Sequence, residues 1–302
     1  MNTQQEQKKQ QLRLPDWFKY SRGKLEASRS LSKRLQMEQV PNSICEEARC
    51  PNRSDCFERG VLTFMVLGTT CTRNCGFCSV EHGKPQPPDS KEVNVILSAI
   101  EKLNLKFVVL TSPNRDDLRD GGSEHYKLIV SSIKQAFPQV KVEILIPDFK
   151  GDINALQIVS DGNPDVINHN IETVPSLYRT VRKGSLFDRS LNVLTHLKKI
   201  RPNKLTKSGV MVGLGETREE LLETFQSIRN AGVDILTVGQ YLKPARENLD
   251  VMKYYTLEEF EDLKTEAEKM GFRYVFSGPK VRSSFLAEHV FDDIMMKDAL
   301  EL

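Results

Sequence analysis

The sequence predicts an α/β protein whose central body is a partial (βα)6 barrel carrying an extension at each end, and three observations lead there. Short apolar runs of strand length recur from residue 61 onward, helical patterns alternate with them, and polar and glycine residues collect where the runs end. Strands joined serially through helices pair in parallel, are buried on both faces and cross over right-handedly, giving a doubly wound sheet or a full or partial barrel. The number of strands favours the partial barrel.

The elements follow in order. A Gln- and Lys-rich head to Leu14 is expected to be partly disordered, and Pro15 to Leu35 reads as a short helical appendage. VLTFMVL (61–67) has the length of a buried strand. Asp89 or Ser90 then caps a helix whose apolar stripe is Val93, Ile96, Leu97, Ile100 and Leu103. Further strands are expected at 107–112, 140–147, 165–170, 207–213 and 234–240, with helices near 123–137, 152–160, 187–200, 217–231 and 256–270. The expected organisation is an N-terminal extension over 1–60, the barrel over 61–276 and a C-terminal segment over 277–302.

Composition narrows the class. The chain has 302 residues, 39% hydrophobic and 28% charged, with a formal net charge of +2, the balance of an ordinary globular enzyme. No basic run with interleaved aromatics suggests nucleic acid, and no apolar run approaches the roughly 20 residues of a membrane span. The polar N-terminus lacks the apolar core of a secretory signal, so the expected location is cytoplasmic.

The six cysteines are the informative feature: Cys45, Cys50, Cys56, Cys71, Cys75 and Cys78, all within 34 residues. In a large chain from a reducing compartment such crowding fits metal ligation better than a disulfide framework. Cys71-Thr-Arg-Asn-Cys75-Gly-Phe-Cys78 directly follows the first strand, and three thiolates in one tight loop can hold three corners of a 4Fe–4S cubane, leaving the fourth iron open. A zinc site is the blander reading, but neither His82 nor a second hook is well spaced for it, and a ferredoxin cluster wants a fourth cysteine. The second group, Cys45-x4-Cys50-x5-Cys56, again offers three thiolates, so a second cluster with a non-cysteine fourth ligand is inferred.

The Cys-x3-Cys-x2-Cys loop resembles the radical S-adenosylmethionine (SAM) motif, and Cys-x4-Cys-x5-Cys ahead of it resembles the auxiliary-cluster motif of the lipoyl synthase family, from about Trp17 to Leu286. That resemblance implies a partial TIM-type barrel, two 4Fe–4S clusters and SAM bound at the open iron beside Cys71, Cys75 and Cys78. It also implies that Ser284, in Arg282-Ser283-Ser284-Phe285, ligates the auxiliary cluster, where the family motif ends in Tyr. Without the resemblance, Ser283 or Ser284 reads as a helix N-cap.

The resemblance further implies SAM contacts. Gly121-Gly122 stands in for a glycine-rich turn, Asn170 and Glu172 belong to His-Asn-Ile-Glu-Thr-Val, and Arg182 offers a guanidinium for a carboxylate. Gly213 and Glu216 come from Gly-Val-Met-Val-Gly-Leu-Gly-Glu. Structural readings stand beside these: Asp-Gly-Gly is a turn, Glu172 and Arg182 an ion pair, and Thr217 a helix cap. His125, His169 and His289 are left unassigned.

The implied reaction is insertion of two sulfur atoms at the sixth and eighth carbons of a protein-bound octanoyl-lysine chain, with the auxiliary cluster as sulfur donor. The implied partners are octanoylated lipoyl carrier domains, a one-electron donor of the flavodoxin or ferredoxin type and an iron–sulfur cluster delivery protein. The alternatives are another radical SAM sulfur-inserting enzyme of the biotin synthase type and a non-catalytic iron–sulfur protein.

Overall fold

Seven parallel strands make the main sheet, and their order in space is their order in sequence. The computed structural model describes residues 13–18, 33 and 61–284. Within these lie β1 (Val61–Met65), β2 (Phe107–Thr111), β3 (Lys141–Leu145), β4 (Val166–Asn168), β5 (Leu205–Val212), β6 (Ile235–Gln240) and β7 (Tyr274–Gly278). The crossover helices are α1 (Glu92–Leu103), α2 (Ser123–Ala136), α3 (Ile153–Asp161), α4 (Phe187–Ile200), α5 (Arg218–Asn230) and α6 (Leu257–Lys269). Because every crossover steps to the next strand in the same direction, the helices share one face and each packs on the next, curling the sheet toward a barrel. A doubly wound sheet would reverse its order at a switch point, and this one does not. Among the described residues β1 and β7 remain free edges, so the barrel is open.

The helices start where the side chains say they should. Thr217 accepts from Glu220 N while Glu220 reaches back to Thr217 N, and Thr256 and Glu259 do the same for α6. Asp152 caps α3 by accepting from Asn154 N. Ahead of α1, Asp89 accepts from Lys91 N in the preceding turn, whereas the helix itself begins at Glu92 without a side-chain cap.

Strand alternation sorts residues between the helices and the barrel interior. Leu62, Phe64, Val108, Leu110 and Ile144 face the helices of the first half, and Val210, Val212, Leu236 and Val238 those of the second. The inward set begins as an apolar plug of Val61, Phe107, Val109, Val166, Leu205 and Ile235. One layer higher the interior turns polar: Lys207 of β5 donates to both oxygens of Glu143 of β3 at 3.0 and 3.1 Å, and Asn168 Nδ2 donates to Glu143 at 3.1 Å. Lys207 and Glu143 are each 1% exposed, so this ion pair lies wholly inside the barrel.

The seventh strand differs from the expected six. Tyr274–Gly278 crosses the expected end of the barrel at residue 276, and its half-buried edge position gives it a weaker apolar signal than the inner strands. Cys45, Cys50, Cys56, Phe285 and His289 lie outside the described residues, as does most of the Pro15–Leu35 appendage.

Candidate active site

Above the polar layer, at the C-terminal ends of the strands, opens a cavity of about 570 Å³. This is the end at which open and closed α/β barrels place their chemistry. Its floor is the inward residues Thr63, Glu143, Asn168 and Thr237; its rim carries Cys71, Cys75, Cys78, Asn170, Glu172, Arg182, Ser283 and Ser284.

The cysteine loop is held from three sides. Cys71 closes a two-strand ladder with His82, and its thiol is approached by Arg73 N at 3.4 Å and Asn114 N at 3.3 Å. Val80 N lies 3.5 Å from Cys78 Sγ. Gly76 N donates to Val181 O, while Gly76 O accepts from Leu249 N at 3.0 Å and Asn248 Nδ2 at 3.3 Å. A side chain at Gly76 would press on Leu249 and the Thr180 carbonyl, so a larger residue there displaces its neighbours.

From the third side, Arg73 turns away from the cysteines. It bonds both oxygens of Asp116 at 2.7 and 2.9 Å and both of Asp148 at 2.7 and 3.0 Å, and reaches Ser185 Oγ.

Burial pushes the Cys75 thiol up to about 12 and the Cys78 thiol to about 11, with the nearby Arg182 charge opposing the rise at Cys75. Such thiols become thiolates when a metal compensates their charge. Among the described residues no three Cys, His, Asp or Glu side chains converge on a single-ion position. A cubane asks something different, one thiolate for each of three irons, together with amide N–H groups near the sulfurs. The loop supplies both, so it fits a 4Fe–4S cluster.

Beside the loop, Glu172 is half-buried at the cavity wall, with a non-glycine φ of 70°. The conformation persists because its backbone is stitched into β5, Glu172 N to Gly209 O and Met211 N to Glu172 O. Burial raises its carboxyl, opposed by Arg182 and by a hydrogen bond from Asn170. Arg182 Nη1 donates to Tyr178 Oη and Ser190 Oγ, both at 2.8 Å. Among the described residues neither Glu172 nor Arg182 closes an ion pair. Both line the cavity, an arrangement suited to a ligand bearing an ammonium and a carboxylate. Asn170 Oδ1 is buried without a partner there.

Four expected contacts stand elsewhere. Gly121 and Gly122 do not line this cavity: Gly122 forms the left-handed turn into α2, packed against Leu67, and Gly121 sits against Phe149. The part of the loop after β2 that reaches the cavity is Thr111 to Asn114. Gly213 and Glu216 lie behind the wall, where Glu216 accepts from Gly213 N, Leu214 N and Tyr255 Oη and closes the turn after β5. Gly213 is required there because a Cβ would stand 2.2 Å from the Gln240 amide.

Arg73, Asn114, Tyr178 and Asn248 escaped the sequence reading, which gave Ser283 only as a helix cap; the position of Arg73 between two cysteines was the one signal. Of the histidines left unassigned, the two that are described make contacts within the fold. His125 pairs with Glu92 at 2.5 Å, and His169 is wholly buried, its Nδ1 against Ile146 O and its pKa lowered to about 3 by burial.

Residues 65–228 match the model of the radical SAM superfamily, and the fold and cysteine loop place the chain in that class. It is 47% identical over 278 residues to the lipoyl synthase of Histophilus somni (strain 2336), covering 92% of this chain and 87% of that one. To the lipoyl synthase of Caldicellulosiruptor saccharolyticus it is 46% identical over 280 residues, covering 92% and 97%. Among solved structures, that of methylornithine synthase superposes with a TM-score of 0.54 at 14% identity, covering 87% of this chain and 91% of that one, a similarity of fold alone. The chain belongs to the lipoyl synthase family. Membership in the radical SAM superfamily implies SAM and a 4Fe–4S cluster.

Proposed function

We propose that this protein inserts sulfur at the sixth and eighth carbons of an octanoyl chain amide-linked to a lysine of a lipoyl carrier domain. The observation that carries the reading is the shared cavity: the cysteine loop, the Glu172 and Arg182 charges and Ser284 all border one space. Reductive cleavage of SAM at the cluster supplies a radical able to take hydrogen from an unactivated carbon, chemistry that belongs to the cofactor.

The chain's own residues do the positioning. Cys71, Cys75 and Cys78 would hold the cluster, their loop fixed by Arg73 and by residues 248–249. Glu172 would take the cofactor's ammonium or a ribose hydroxyl, and Arg182 its carboxylate. Asn170 joins Glu172 to the C-terminal segment. Ser284 would be the fourth ligand of an auxiliary cluster on Cys45, Cys50 and Cys56, and as a hard oxygen donor among thiolates it is the corner that opens most readily. We assign residues 1–60 to the extension bearing those cysteines and extend the barrel through β7. A one-electron donor and a cluster delivery protein complete the partners.

The test is anaerobic turnover of an octanoylated lipoyl-domain peptide with SAM and dithionite. Lipoyl product with 5′-deoxyadenosine from the wild type, and loss of lipoyl product with deoxyadenosine retained in Ser284→Ala, are expected. Deoxyadenosine without sulfur insertion by the wild type would sink the lipoyl reading and leave the radical one.

A further inference from the structure

The C-terminal segment enters the cavity mouth along a tightly defined path. Val281 is 4% exposed, its amide donates to Gly278 O at 3.1 Å, and its carbonyl lies 2.3 Å from where a Cβ on Gly239 of β6 would stand. Any side chain at 239 would therefore expel it. Two residues on, Ser283 Oγ accepts from Asn170 Nδ2 at 3.0 Å, a bond spanning 113 residues of sequence. The other hydrogen of that amide goes to Glu172 Oε1 at 3.1 Å. An amide nitrogen carries two hydrogens, so both are committed.

The other end of the same amide is untied. Asn170 Oδ1 is buried with no partner, and the last torsion of an asparagine is soft. The orientation of the amide is therefore decided by its two acceptors, Glu172 on the cofactor side and Ser283 on the segment that carries Ser284. A shift of Glu172 turns the donor that holds Ser283, and a shift of Ser283 turns the donor that holds Glu172.

We propose that Ser283 is a positioning residue which, through the Asn170 amide, couples the placement of Ser284 to engagement of Glu172 by the cofactor. The proposal rests on the reading of Glu172 as a cofactor contact. Cofactor binding then steadies residues 281–284, and by linkage a steadied segment favours cofactor binding by the same factor.

The experiment is hydrogen exchange of residues 279–284 in the anaerobic holoenzyme, with and without SAM, in wild type, Ser283→Ala and Ser283→Thr. Iron content and SAM binding are measured on each protein. In the wild type SAM slows exchange of this segment by about five-fold, the order of one hydrogen bond. Ser283→Ala loses the SAM-dependent slowing, while protection of the β1–β6 amides is unchanged and shows that the barrel is intact. Ser283→Thr, which keeps the hydroxyl, restores the slowing. Were Ser283 merely structural, the alanine variant would exchange faster with and without SAM and keep the difference between them, and that result overturns the coupling. A wild type that binds SAM without slowing also overturns the coupling alone, whereas a wild type that does not bind SAM overturns the functional reading with it.

Discussion

Arg73 and Asp148 meet through two parallel hydrogen bonds, at 2.7 and 3.0 Å, where the Asp148 side chain has no exposed surface. Two residues from both Cys71 and Cys75, Arg73 ties the cysteine loop through this fork to the turn after β3. The same guanidinium ties it to Asp116 in the loop after β2.

Arg73→Met is expected to destabilise the protein by about 3–5 kcal/mol, because it leaves a buried carboxylate whose remaining cation is Arg189 at 3.4 Å. Arg73→Lys keeps the charge but not the fork and falls between the two. Denaturant unfolding of the three proteins measures the order; equal stability for the Met variant would rule out a structural role for the clamp.

Stability should fall on mild acidification, and His169 is the cause. Its folded pKa lies below the unfolded value, so the unfolded chain binds the proton first and stability is lost as pH drops below about 6.5. Between pH 7.5 and 5.5 the loss from this group is ~1.4 kcal/mol. Asp148, which Arg73 holds well below the usual carboxylate range against the effect of burial, adds its own loss only below about pH 4. A His169→Gln variant should show a flatter profile over 7.5 to 5.5, and an unchanged slope would discard the assignment.

Lys207→Met alone should cost about 3–5 kcal/mol by leaving Glu143 charged and unpaired inside the barrel. The double variant Lys207→Met/Glu143→Leu recovers most of that loss, since two apolar side chains can replace a buried pair. Thermal unfolding of the full double-mutant cycle reads the recovery; additive losses would contradict it.

Glu172→Gln should weaken SAM binding by about 10- to 100-fold, the worth of a charge-assisted hydrogen bond, while iron content stays at the wild-type level. Equilibrium dialysis with iron counting separates the two effects. Wild-type affinity in the variant would remove Glu172 from the site.

Much of this architecture was legible before any coordinates. The helix expected near 187–200 forms at Phe187–Ile200, where Leu191, Leu194 and Leu197 carry a clear stripe and Arg201 ends it before Pro202. The three rim cysteines, Asn170, Glu172, Arg182 and Ser284 were found as residue types in motifs, and they do border one cavity. Four expected SAM contacts lie off the cavity lining for one reason. Gly121, Gly122, Gly213 and Glu216 have the composition of ligand loops, yet composition does not reveal which side of a turn faces inward, and there glycine answers to packing against Leu67, Phe149 and Gln240. The strand at 274–278 was missed because an edge strand lacks the continuous apolar run of an inner one. The burial of Arg73 and Lys207 leaves no local signal, since it depends on carboxylates 43 and 64 residues away.

The grip on Gly76 has a consequence in time. Its carbonyl is bonded by Asn248, 172 residues further along the chain, and by Leu249 beside it. Contacts of such separation form late, after the intervening strands have assembled. A ribosome delivers residues 71–78 long before residue 249, so the cysteine loop leaves the exit tunnel without its clamp. Its final shape therefore belongs to the finished barrel.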